Sequence, residues 1–129
     1  MTPFGAIMRD AVEATPGAIG GAFADAQGEM IDGYSTQDPH DWAVLTAHYG
    51  VVLALLDAAF RTLHFGGPQY FIAQHQALDV LVHAVYPKTG SLHAGHGYYA
   101  LLAVGEPGPL GHALVHLRHA ARKLQREIA

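Results

Sequence analysis

No cysteine occurs anywhere in the 129 residues. That excludes disulfides, thiolate metal sites and a cysteine nucleophile, and it suits a reducing compartment. Charge is also scarce: seven Lys and Arg stand against eleven Asp and Glu, for a formal net charge of -4. With no basic stripe to neutralise phosphates, nucleic acid is not an expected partner. The opening MTPFGAIMRDAVEA has neither a basic head nor a long apolar core, so it does not read as a signal peptide. No P-loop and no G-x-G-x-x-G motif is present. Gly17-Ala18-Ile19-Gly20-Gly21 starts a strand instead of opening a helix, so it does not cradle phosphate. Ser35 and Ser91 lack the G-x-S-x-G context of a nucleophile elbow.

What the chain has in quantity is apolar residues, half of the composition. Length and composition predict one domain over 1–129, with a core of its own and apolar surface left over for a buried interface. A cytoplasmic location is the matching expectation.

The surplus is concentrated in His40 to His64, HDWAVLTAHYGVVLALLDAAFRTLH. Asp38 supplies an N-cap and Pro39 a first helical residue, and Gly66-Gly67-Pro68 is the expected stop. Trp42, Leu45, Tyr49, Val52, Leu56, Ala59 and Leu63 recur at spacings of three and four, which puts them on one stripe. Val44, Val51, Leu55 and Ala58 form a second line beside it. Thr46, Gly50, Asp57, Arg61 and the alanines are left for the other side. An ordinary surface helix buries a single stripe of roughly 100°. This one predicts one side packed on a sheet and another packed on a second chain. A helix covered on both sides within a monomer is the rival. A membrane span is not expected, because His48 and Asp57 interrupt the roughly 20 apolar residues a bilayer requires.

Patterns elsewhere predict a helix from Phe4 to Ala14 and a strand from Ala18 to Ala24. A tight turn, Asp25-Ala26-Gln27-Gly28, leads to a strand from Glu29 to Tyr34. Strands over Gln69 to Gln74 and Leu78 to Tyr86 follow, joined by His75-Gln76-Ala77. Pro87 to Gly97 reads as a long glycine-rich loop, Tyr98 to Val104 as a fifth strand, and Glu106-Pro107-Gly108-Pro109 as a break. Leu110 to Ile128 closes as a helix with Leu110, Leu114, Leu117, Ala121, Leu124 and Ile128 on one face. The order α-β-β-α-β-β-β-α predicts an α+β fold, a five-stranded antiparallel sheet with helices on both faces.

The ten histidines invite a metal reading. His112 and His116 are four apart on the last helix, with His119 one turn on, and His93 and His96 share a loop. No nearby Asp, Glu or Cys completes a ligand set, so the helical group reads as a solvated face, with no metal or cofactor. Asp25, Glu29 and Asp32 surround a hairpin, where acids cap and solubilise. No catalytic residue emerges, and the chain does not read as an enzyme. The candidate functional residues are therefore those of an interface: Trp42, Leu45, Tyr49, Val52, Leu56 and Ala59, with Gln69, Tyr70, Phe71 and Ile72 as an edge strand offering unpaired backbone groups. An alternative is a small-ligand sensor with a pocket near Tyr49, His83 and Tyr98.

The run Pro16 to Gly28, PGAIGGAFADAQG, resembles the first hairpin of the roadblock/LC7 family, in which a Pro-Gly start leads into a small-residue strand and an Asp-x-x-Gly turn. The alanine-rich helix 40–64 with its glycine turn is similar to that family's central helix, and the helix opening at Leu110-Gly111 to its closing one. The resemblance covers nearly the whole chain and implies a profilin-like roadblock fold whose central helix and third strand pair with those of a second subunit. It further implies a homodimeric, non-catalytic regulator or scaffold that binds a Ras-like small GTPase, with GTPase-activating proteins, dynein-associated proteins and lysosomal scaffolds among the relatives. The activating members reshape the GTPase without inserting an arginine finger.

Overall fold

The computed structural model describes residues 1–87, 97–105 and 110–128. The loop expected over Pro87 to Gly97, with Ser91, His93 and His96, and the break at 106–109 fall largely or wholly outside them.

Helix α1, Pro3–Ala14, starts where Thr2 accepts a hydrogen bond from the Gly5 amide at 3.2 Å, with Pro3 just inside. Met8, Ala11 and Val12 are buried along one side, and Phe4 and Ile7 pack partly against the same cluster. Strands β1, Ala18–Asp25, and β2, Met30–Ser35, form the first hairpin. Gly28 holds the turn's left-handed residue at φ +86°. The Asp25 carboxylate accepts from the amides of Gln27 and Glu29, both at 3.0 Å. Asp32 accepts from the backbone amide and hydroxyl of Thr2 and so ties the start of α1 to β2. Asp25 and Asp32 thus have structural roles, while Glu29 is exposed.

Helix α2, Pro39–Thr62, begins as expected, with Asp38 accepting from the Asp41 amide at 3.1 Å. It ends two residues short of His64, and not at the glycines. His64 takes φ +64°, its amide donates to the Arg61 carbonyl, and the Phe65 amide reaches back to the Phe60 carbonyl at 2.9 Å. That is a Schellman motif with a histidine in the usual glycine place, closed by a Phe60–Phe65 ring contact at 6.4 Å.

Strands β3, Tyr70–Gln74, and β4, Asp79–Val85, make the second hairpin, closed by the His75 amide on the Leu78 carbonyl. Strand β5, Tyr98–Val104, lies between the two hairpins, paired to β1 and β4. The antiparallel order is β2-β1-β5-β4-β3, so β2 and β3 are the edges. Helix α3, Leu110–Glu127, buries Ala113, Leu117, Ala120, Ala121 and Leu124. It shares one sheet face with α1, over Phe23, Leu81, Ala100 and Leu102. Helix α2 covers the other face, over Ala22, Ala24, Val80, Val82 and Leu101.

The docking of α2 departs from the periodicity reading. Thr46 and Gly50, expected on the far side, are turned to the sheet with Trp42 and Tyr49. Tyr99 rises from β5 and donates to the Thr46 carbonyl at 2.7 Å. A Cβ on Gly50 would stand 2.6 Å from the Tyr99 oxygen and 2.9 Å from the Gly28 Cα. Trp42 lies over Gly20, where a Cβ would meet the indole at 2.9 Å, and its Nε1 donates to the Gly21 carbonyl at 3.3 Å. Small residues let the helix and the first hairpin approach closely.

Two substitutions should therefore act in opposite directions. Gly50→Ala gains roughly 1 kcal/mol of helix propensity but loses more by forcing α2 away from Tyr99 and the β1–β2 turn, for a net loss of about 1–3 kcal/mol. His64→Gly relieves the left-handed strain and should add about 1 kcal/mol. Urea midpoints of the purified variants check both signs.

Candidate partner interface

Because α2 docks through Trp42, Thr46, Tyr49 and Gly50, most of its remaining circumference faces outward. Leu55 is 67% exposed, Val51 59% and Leu63 60%, with Val44, Val52 and Phe60 near 40% and Phe65 beyond them at 76%. An exposed apolar face of this extent is a candidate contact site, since isolated surface leucines are ordinary but a contiguous stripe is not. The ion pair on this helix, Arg61 with Asp57 at 2.9 Å, is satisfied within α2. The Asp57 carboxylate keeps Arg61 firmly protonated, and the Tyr86 hydroxyl lies beside it. Under this half of α2 is a cleft of about 350 Å³, lined by Leu53, Ala54, Tyr86, Tyr98 and Tyr99 among others.

The candidate residues divide. Trp42 and Tyr49 leave the partner face: they are 4% and 8% exposed and belong to the chain's own core. Burial raises the pKa of the Tyr49 phenol, which bonds the His75 imidazole, and its ring stacks on Phe71 at 6.2 Å. That pins the second hairpin to α2. Leu45 and Leu56 are half-buried, while Val52 and Ala59 are exposed. Gln69 and Tyr70 are exposed at the free edge; Phe71 turns to the α2 side and Ile72 to the α3 side. The outward surface thus combines the second line, Val44, Val51, Leu55 and Ala58, with Val52, Ala59 and Leu63 of the first, and it is extended by Phe60 and Phe65. Helix α2 is also long and apolar enough to cross a bilayer, less interrupted than its charges suggested. Its docked side argues for protein instead: a helix hydrogen-bonded to Tyr99 and seated on β1 is not surrounded by lipid.

No protein-family model matches the chain, and no curated protein matches it. Solved structures do. Myxococcus xanthus MglB superposes with a TM-score of 0.81 at 10% identity, covering 99% of this chain and 96% of that one. A roadblock/LC7 domain from Streptomyces avermitilis gives 0.78 at 13% identity, covering 95% of each. The gliding protein mglB of Thermus thermophilus gives 0.76 at 20% identity, covering 96% and 88%. At these identities the likeness speaks of architecture, and it agrees with the element order and the sheet: the chain has the roadblock/LC7 fold.

The sensor trio is not a site. Tyr49 lies on the α2 side of the sheet, whereas Tyr98 stacks on Phe23 at 5.3 Å and His83 faces α3. The helical histidines behave as a surface group. His112 and His119 are exposed, and His116 is half-buried with its pKa lowered by burial and then by its two neighbours. Burial, with Arg118 and Arg122 nearby, also lowers the pKa of His83, against the opposing bond from its Nδ1 to the Ala84 carbonyl. The folded chain therefore keeps His83 neutral where the unfolded chain, titrating near 6.5, takes up a proton. Stability from this group is fully present above that value and is lost as pH falls below it. The urea midpoint should drop more between pH 7 and pH 5 for the native chain than for His83→Gln; equal drops would mean His83 is not the group responsible.

Proposed function

We propose that the chain is a cytoplasmic, non-enzymatic regulator or scaffold that binds a Ras-like small GTPase and acts as a homodimer. The observation that carries the reading is the uncovered apolar face of α2 beside the free edge of β3, on a roadblock/LC7 fold. An edge strand offers backbone groups that set register, and the helix face offers apolar area for affinity. Similarity in fold to MglB structures and the resemblance of the first hairpin support the GTPase partner. Activation of GTP hydrolysis is the finer part of the proposal. Arg61, the cation on α2, is held by Asp57, which favours reshaping the partner over an arginine finger.

Leu55→Asp tests the dimer. It leaves the core untouched, since the side chain is exposed in one copy, but places an unpaired charge in the contact at a cost of about 3–5 kcal/mol, or a hundredfold or more in dissociation constant. Light scattering at low micromolar concentration should show a dimer for the native chain and a monomer of native ellipticity for the variant. A native chain that is monomeric sinks the dimer. For the partner, a pull-down from native lysate is run with a GTP analogue and with GDP. Retention of a Ras-like GTPase only with the analogue supports the reading, and hydrolysis rates then separate activation from binding. No GTPase in either lane removes it.

A second reading, a small-ligand sensor, draws on the tyrosine-lined cleft under α2. Stoichiometric ligand copurifying with the native chain would favour it.

A further inference from the structure

We propose that the groove between α3 and β4 is a binding site for a small oxyanion of the phosphate type, held by Arg118 and Arg122 from α3 and by His83 from β4, whose Nε2 donates to the anion once it carries a proton. The groove is a cavity of about 220 Å³ with Gln69 and Gln125 at its walls and no acidic residue in its lining among the described residues. It lies on the α3 side of the sheet, away from the exposed face of α2, although Gln69 and Tyr70 belong to the β3 edge that the proposed contact uses.

Three observations converge there. The first is the arginine pair itself. Arg118 and Arg122 are one helical turn apart, where like charges repel. Among the described residues the ion pairs are Arg9 with Asp10, Arg9 with Glu13, and Arg61 with Asp57, so neither of these arginines has an acid partner there. On a chain of net charge -4 this is a local concentration of positive charge. The second is the imidazole. The Nδ1 of His83 is committed to the Ala84 carbonyl at 2.7 Å, which leaves Nε2 as the atom available to a ligand. Tyr70 stacks on the ring at 6.2 Å and 19°, holding its plane. The third is that the wall is fixed: Gln125 donates to the Tyr86 carbonyl at 2.9 Å, joining the end of α3 to the end of β4.

Guanidinium groups bind tetrahedral oxyanions through paired N–H donors, which a single ammonium does not reproduce. Two permanent cations and an imidazole able to become a third suit a dianion better than a single carboxylate. A bound anion would relieve the repulsion between the arginines and favour protonation of His83, whose charged and titratable surroundings are Arg118 and Arg122 on α3 and Tyr70 on β3.

The test follows the His83 ring resonances by NMR at pH 7 while sodium phosphate replaces sodium chloride at constant ionic strength. The expected result is a saturable shift of the His83 signals, in the direction of protonation, with those of His40 and His64 unmoved. Arg118→Gln/Arg122→Gln should weaken the apparent affinity at least about tenfold. Should that variant fail to fold, Arg118→Lys/Arg122→Lys keeps the charge, loses the paired donors and should weaken binding several-fold. A linear drift of all histidines alike, or full phosphate affinity retained in the folded variants, overturns the site. Succinate titrated in the same way separates carboxylate from phosphate: a succinate shift as strong as that of phosphate overturns the assignment to phosphate.

Discussion

The hydroxyl of Tyr99, buried between sheet and helix, has to be satisfied, and that requirement sets much else in the molecule. Tyr99 sits on β5, the central strand, and burial holds its phenol protonated. Its acceptor is a backbone carbonyl in the second turn of α2, that of Thr46. A helix carbonyl is within reach only if the residue one turn further on has no side chain, and Gly50 meets that condition. With Trp42 laid over Gly20, the rotation of α2 about its own axis is then determined. The outward stripe follows from it: once Trp42, Thr46, Tyr49 and Gly50 face in, Val44, Val51 and Leu55 face out.

Much of this was legible in the residues. The tight turn over Asp25 to Gly28, the capping of α2 by Asp38, the limits of β5 and the order of elements all rest on local chemistry that a short sequence window contains. The edge position of β3 also followed from its shortness and the preceding turn. The rotation of α2 was not legible. Periodicity orients a helix only when one side is polar, and this helix is apolar nearly all round, so its stripes compete on equal terms. A threonine and a glycine read as lying on the side away from the apolar stripes, because the reason for burying them is a tyrosine 53 residues away in sequence, bonded to the Thr46 carbonyl. Likewise the end of α2 looked like a glycine stop. A histidine in the left-handed region is a rare choice that sequence rules give low weight, and only the Phe60–Phe65 contact explains why the chain tolerates it.

The two sides of the sheet have different characters. On the α1 and α3 side the apolar residues are consumed by the core, and what α3 shows to solvent is largely charged or histidine. On the α2 side the core is smaller, built largely from alanines and valines of β1, β4 and β5, and the helix carries more apolar surface than that layer takes up. This imbalance explains how the chain combines half apolar composition with so few charges.

The free edge and the uncovered helix are joined by one cluster. Tyr49 bonds His75 and stacks on Phe71, so α2 is fixed to the hairpin whose outer strand is β3. A rigid link of this kind makes the two surfaces a single contact: a second copy that pairs along β3 meets α2 at a set distance, and one that packs on α2 finds the strand edge already aligned. Strand pairing alone would be open to any extended segment, and an apolar helix face alone would be indifferent to register. Held together by Tyr49, each restricts what the other accepts, which favours one specific partner over general stickiness.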